Sequence, residues 1–135
     1  MAGLTIGQAA RAVDVNVETI RYYERRGLIA QPPTSRDGGA RLYGTATVRC
    51  LRFIKDAQRI GFSLSEIAEL LSLKARSNAS CGDVRTLAVQ KRMDVQKQLE
   101  RLHRIAEVLD DLIADCPGDG DLDTCSILGG IERAD

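Results

Sequence analysis

Asn16-Val17-Glu18-Thr19-Ile20-Arg21-Tyr22-Tyr23-Glu24-Arg25-Arg26-Gly27 reads as a short helix with both ends written into it. Asn16 is a natural N-cap, because its side-chain oxygen can accept from the free N–H groups of the first turn. Gly27 is a natural stop, because glycine takes the positive φ that closes many helices. Immediately upstream, Thr5 followed by Gln8 is a capping-box pattern ahead of Ala9, Ala10 and Val13, so an earlier helix runs to about Asp14-Val15-Asn16. Two short helices joined by a tight turn form a helix-turn-helix unit.

Downstream, the stretch 32–43 carries Asp37-Gly38-Gly39, a hairpin-turn signal, and predicts a small β wing. Val48, Leu51, Phe53, Ile54 and Ala57 recur with helical period, predicting a third helix over 45–59 closed by Gly61. Ser63 with Glu66 is a second capping box, opening a fourth helix through about Leu73. Residues 74–80 are small and polar, a linker by composition. After Cys81 the positions Ala88, Lys91, Val95, Gln98, Leu102, Ile105, Leu109 and Leu112 alternate steps of three and four, a heptad seam. One helix cannot bury such a stripe alone, and the chain offers no second long helix, so a homodimer is expected. Gly118 and Gly120 are expected to end this helix, leaving a short tail with Cys125. The expected organisation is mainly α: a helix-turn-helix domain over 1–74, a linker and dimerisation helix over 75–115, and a C-terminal metal-binding loop and tail over 116–135.

The formal net charge of zero hides a division. Residues 1–76 carry 12 Lys+Arg against 7 Asp+Glu, +5, and residues 77–135 carry 7 against 12, −5. A basic first part suits a polyanion such as double-stranded DNA. No signal-peptide run follows Met1 and no apolar segment could span a bilayer, so a cytoplasmic protein without membrane association is expected. An enzyme is not expected. With His103 as the single histidine there is no Ser/His/Asp set, no glycine loop cradles phosphate, and no carboxylate pair stands out in an apolar pocket.

In a reducing compartment clustered cysteines point to metal or redox chemistry. Cys81 starts the long helix, Cys116 follows its end, and Cys125 lies in the tail. At about 1.5 Å per residue a straight helix would hold Cys81 and Cys116 roughly 50 Å apart. In an antiparallel dimer, by contrast, Cys81 of one protomer lies beside the partner's helix end, and twofold symmetry gives two equivalent sites. Three thiolates suit soft or borderline ions, and a missing fourth ligand disfavours structural zinc, so mercury(II), lead(II) or cadmium(II) fits the count. A redox sensor that pairs two of the thiols is the alternative from another class. Cys50, between Val48 and Leu51, is assigned to packing, and His103 to a solvated face.

The sequence resembles the MerR family over essentially its whole length. The resemblance rests on Leu4-Thr5-Ile6-Gly7-Gln8-Ala9-Ala10 and Val17-Glu18-Thr19-Ile20-Arg21-Tyr22-Tyr23-Glu24-Arg25-Arg26-Gly27-Leu28. Arg41-Leu42-Tyr43, Phe53-Ile54-Lys55 and Gly61-Phe62-Ser63-Leu64-Ser65-Glu66-Ile67 extend it. It implies a winged helix-turn-helix fold followed by a long antiparallel coiled-coil dimerisation helix. Carried to matching positions, it places Val17, Glu18, Thr19, Arg21 and Tyr22 on or near the DNA face and Arg36, Arg41 and Tyr43 in the wing, with Ile20 and Tyr23 in the core. It further implies a regulator that represses its promoter without metal and, with metal, distorts the DNA so that RNA polymerase can start. The run Ala57-Gln58-Arg59-Ile60 and the spacing of Cys81, Cys116 and Cys125 are most similar to the mercury-responsive branch, as is Pro117. Ser126, where that branch usually has proline, is similar to the lead and cadmium branch.

Overall fold

The computed structural model describes residues 3–34 and 39–133. Helix α1 (Ile6–Val13) starts at the expected capping box: Gln8 N donates to Thr5 Oγ1 at 3.2 Å and Thr5 N donates to Gln8 Oε1 at 2.9 Å. It ends at Asp14, whose φ of 59° is left-handed. Helix α2 (Val17–Arg25) is capped by Asn16, whose Oδ1 accepts from Thr19 N at 2.7 Å. Gly27, at φ 75°, turns the chain away from its end. Helix α3 (Thr45–Ile60) stops at Gly61, and helix α4 (Leu64–Ala75) opens with the Ser63–Glu66 capping box. Each such cap is worth about 1 kcal/mol, because it satisfies backbone groups that the helix itself leaves free.

These helices close around one core. Ala9, Ala10 and Val13 of α1 meet Ile20 and Tyr23 of α2, Leu51, Ile54 and Ala57 of α3, and Ile67 of α4. The fully buried side chains Ile20, Leu51, Ile54 and Ile67 each contribute about 1.5–3 kcal/mol through apolar burial. Helix α3 also supplies polar ties. Lys55 Nζ donates to the carbonyls of Val13 (2.9 Å) and Asp14 (3.1 Å), and an Arg52 guanidinium N–H donates to Ala12 O (3.1 Å). The open carbonyl end of α1 is thereby capped by cations of a helix forty residues on in sequence. Tyr23 donates to Gln58 Oε1 at 2.6 Å, fixing α2 against α3.

The expected wing takes a reduced form. Among the described residues it contains no strand, and its backbone pairing is the antiparallel bridge Leu4–Tyr43, with Leu4 N to Tyr43 O at 2.9 Å and the reverse bond at 2.7 Å. Pro32 and Pro33 have no N–H to give a ladder. The two arms are tied instead by Arg41 Nε donating to Pro32 O at 2.8 Å. The turn residues Asp37 and Gly38, and Arg36 beside them, lie outside the described residues.

The chain divides into two compact units, Met1–Leu87 and Ala88–Asp135. The first thus takes in the opening turns of helix α5 (Cys81–Ala114), where the sequence reading placed the boundary at 74. The start of α5 is held by Asp83, whose Oδ2 accepts from Ser80 N at 2.9 Å. No residue of α5 is buried, and its seam side chains Leu102, Ile105 and Leu109 are 61%, 40% and 46% exposed. In the second unit α5 ends at Ala114, before Gly118, and a 3-10 turn at Leu122–Thr124 leads into a helix the sequence reading did not anticipate, α6 (Ser126–Arg133). Its Gly129-Gly130 pair weakens helix propensity. Contact supplies the reason for the glycine, since a Cβ at Gly130 would overlap Leu112 Cδ2 of α5. Among the described residues no helix is long and apolar enough to cross a membrane.

Candidate nucleic-acid interface and thiol pair

Helix α2 divides its side chains between a buried and an exposed face. Ile20 and Tyr23 are buried, whereas Glu18, Arg21, Tyr22, Arg25 and Arg26 are exposed. Arg21 pairs with Glu18 at 3.1 Å, one turn apart and well solvated, so the pair contributes little stability and leaves the guanidinium available. Thr19 donates its hydroxyl to Asn16 Oδ1 at 2.8 Å, and Val17 packs against the core, so both belong to the start of α2 as much as to its outer face. Arg25 and Arg26 gather around Tyr22. Both guanidinium carbons lie 5.7 Å from the Tyr22 ring centroid, and Arg26 donates to the Tyr22 hydroxyl at 2.9 Å. The result is a cationic cluster around an aromatic ring, suited to phosphate oxygens.

Across from α2, Arg41 is exposed and is oriented by its bond to Pro32 O. Arg21, Arg41 and Gln31 line one open cavity of about 210 Å³ with Glu24 and Tyr43. Gln31 is a polar group that sequence reasoning missed, since nothing local marks it as facing Arg21. Tyr43 requires a correction. Placed by resemblance among the DNA-facing wing residues, it is 2% exposed and packs in the core. Its hydroxyl donates to Glu24 Oε2 at 2.9 Å. Burial, then the hydrogen bond and charge of Glu24, push that hydroxyl up from 10.0 to about 12, against the opposing pull of Arg21 and Arg41. Tyr43 thus ties the wing arm to α2 through its hydroxyl. Arg36 lies outside the described residues.

The cysteines fall into three settings. Cys50 is half-buried on α3, its thiol 3.9 Å from Leu28 O; burial pushes it up, with Lys74 pulling the other way. That is a packing role. Cys81 is exposed at the first turn of α5, beside Phe53, Leu70 and Val84 around an open cavity of about 290 Å³. Cys116 and Cys125 are half-buried in the second unit, close enough for the Cys116 side chain to act on the Cys125 thiol. Cys125 caps α6: the Leu128 backbone N–H, then that of Ile127, hold its thiol below the ordinary range, with a smaller contribution from Cys116 and against the upward pull of burial. A helix N-terminus favours a thiolate in this way. Next to it, the Ser126 hydroxyl is buried and has no hydrogen-bond partner among the described residues. Among the described residues no three His, Cys, Asp or Glu side chains converge in one chain. Two thiols on a thiolate-stabilising helix end, with an unsatisfied hydroxyl beside them, form an incomplete donor set that fits a thiophilic ion once a further ligand joins it.

Comparison with known proteins gives consistent findings. A family pattern described as MerR HTH family regulatory protein matches residues 4–74, and one described as MerR, DNA binding matches residues 48–112. The mercuric resistance operon regulatory protein of Pseudomonas fluorescens is 41% identical over 132 residues, 98% of this chain and 90% of that protein. Among solved structures, a transcription regulator of Ralstonia metallidurans in complex with lead(II) superposes with TM-score 0.82 at 30% identity, covering 95% of this chain and 98% of the other. The dual-function regulator MerR of Bacillus megaterium in complex with mercury(II) does so with TM-score 0.73 at 35% identity, covering 96% and 99%.

Proposed function

The chain belongs to the MerR family of transcription regulators, and on that premise we propose that it is a cytoplasmic, homodimeric switch that binds promoter DNA through α2 and the wing and responds to mercury(II). The observation that carries the metal reading is the Cys116–Cys125 thiol pair at the N-terminus of α6. Cys81 heads the 34-residue helix α5, which at 1.5 Å per residue is about 50 Å long, so the third ligand comes from a second copy. Cys81 of one protomer joins Cys116 and Cys125 of the partner subunit, once at each end of an antiparallel α5 pair. The open seam of Leu102, Ile105 and Leu109 supports that pairing, because exposed apolar stripes of this kind are covered in coiled coils.

The bound ion supplies thiolate bonds that form in one arrangement of the dimer and not in the other, and an effector shifts an equilibrium only by that difference in affinity. The chain's own residues do the rest. Val17, Glu18, Thr19, Arg21 and Tyr22 present α2 to the major groove, while Arg36 and Arg41 hold phosphates from the wing. Without metal the regulator represses. With metal, the changed set of the two DNA-binding units distorts the duplex so that RNA polymerase can start. A lead(II) or cadmium(II) regulator is the second reading, favoured by the likeness to the lead(II)-bound structure and by Ser126.

Single substitutions Cys81→Ser, Cys116→Ser and Cys125→Ser test the ligand set. Each is expected to abolish metal-induced transcription and to leave operator affinity within about threefold of wild type, since none lies on the α2 face. Induction retained in any one variant removes that residue from the site. Titrating the purified dimer with mercury, lead, cadmium and zinc, followed by thiolate absorption, decides between the two readings.

A further inference from the structure

Glu24 is a carboxylate on the face that the DNA-binding reading turns toward phosphates. It lies one turn after Arg21 on α2 and lines the same cavity as Arg21, Arg41 and Gln31. An anion there repels the polyanion that the surrounding arginines attract, so its presence calls for a compensating task. Its contact identifies that task. Glu24 Oε2 accepts from the hydroxyl of Tyr43, and Tyr43 is 2% exposed and paired through its own backbone to Leu4 in both directions. Tyr43 is also two residues from Arg41 in the wing arm. The Glu24–Tyr43 bond therefore links the helix that carries Arg21 to the arm that carries Arg41.

We propose that Glu24 is a positioning residue for DNA binding: by holding the buried Tyr43 hydroxyl it fixes α2 and the wing arm at the separation at which Arg21 and Arg41 engage backbone phosphates together. The assignment rests on the DNA-binding reading above. It predicts an effect opposite in sign to simple charge removal, because losing the acceptor altogether, as in Glu24→Ala, adds positive charge to the face and yet weakens binding.

The test uses the full-length dimer without metal and duplexes selected from random sequence by the wild-type protein, with affinity measured across a salt series. Glu24→Ala is expected to bind about 10-fold more weakly and to flatten the dependence of log K on log salt by about two, the loss of one phosphate contact in each protomer. Glu24→Gln keeps an acceptor for the hydroxyl and is expected within about twofold of wild type. Tyr43→Phe is expected to reproduce the Glu24→Ala loss, and the double variant to be no weaker than either single one, as two partners of one bond require. Thermal melting checks folding, and where Glu24→Ala is unfolded the Glu24→Gln and Tyr43→Phe pair decides. Tighter or equal binding by Glu24→Ala overturns the proposal, as does a Tyr43→Phe variant that binds like wild type. A wild-type protein that selects no duplex overturns the DNA-binding reading itself, and this assignment with it.

Discussion

At the scale of single side chains, Tyr43 joins three segments: its backbone pairs with Leu4, its ring fills the core, and its hydroxyl reaches Glu24 of α2. With the hydroxyl raised from 10.0 to about 12, the folded state holds its proton more tightly than the unfolded chain does. Its contribution is therefore fully present below about pH 10 and is lost as pH rises through about 12. The melting temperature of the wild type should fall more steeply across that window than that of Tyr43→Phe, with thermal melts in parallel buffers as the measurement. Equal slopes would show that the hydroxyl is not coupled to folding. Tyr43 also marks where single-residue reading stops. A tyrosine after Arg41 in a polar loop resembles a surface contact, and nothing local reveals that its ring is covered. That Arg21 and Tyr22 lie on the exposed face of α2 was legible because the helical period separates them from Ile20 and Tyr23.

At the scale of elements, α1 to α4 were readable because each end carries its own chemistry: Thr5 with Gln8, Asn16, Gly27, Gly61, and Ser63 with Glu66. The elements that escaped are held by partners distant in sequence. Of these α6 forms although Gly129-Gly130 disfavours a helix, and the ties by which Lys55 and Arg52 cap α1 from α3 were equally hidden although α1 itself was not. The seat of α6 depends on the missing side chain at Gly130, where Leu112 comes too close for a Cβ. Gly130→Val should cost about 1–3 kcal/mol of local packing, as overfilled contacts do. By shifting α6 it should separate Cys125 from Cys116 and weaken mercury(II) binding about 10-fold, read by competition with a thiol chelator. Leu112→Ala in the same chain should restore most of the affinity. Unchanged affinity in Gly130→Val would show that the position of α6 does not set the thiol pair.

At the scale of the whole molecule, the sequence already carried the division between a basic part and an acidic part, and the heptad seam that a lone chain leaves exposed. The proposed set of three cysteines was read from thiol chemistry, and its proposed meeting place across a second copy of the chain from the length of the helix between Cys81 and Cys116. The structure brings Cys116 and Cys125 together beside α6, and in the proposed site Cys81 of the partner chain joins them. The most direct measurement is mercury(II) stoichiometry in a purified heterodimer of a Cys81→Ser chain with a Cys116→Ser chain. If the ligands are drawn from both protomers, one end of the heterodimer keeps all three thiolates while the other loses two, and one tight site per dimer is predicted, although neither parent homodimer has any. A heterodimer with no tight site would contradict the account, because it would mean that each chain builds its metal site alone.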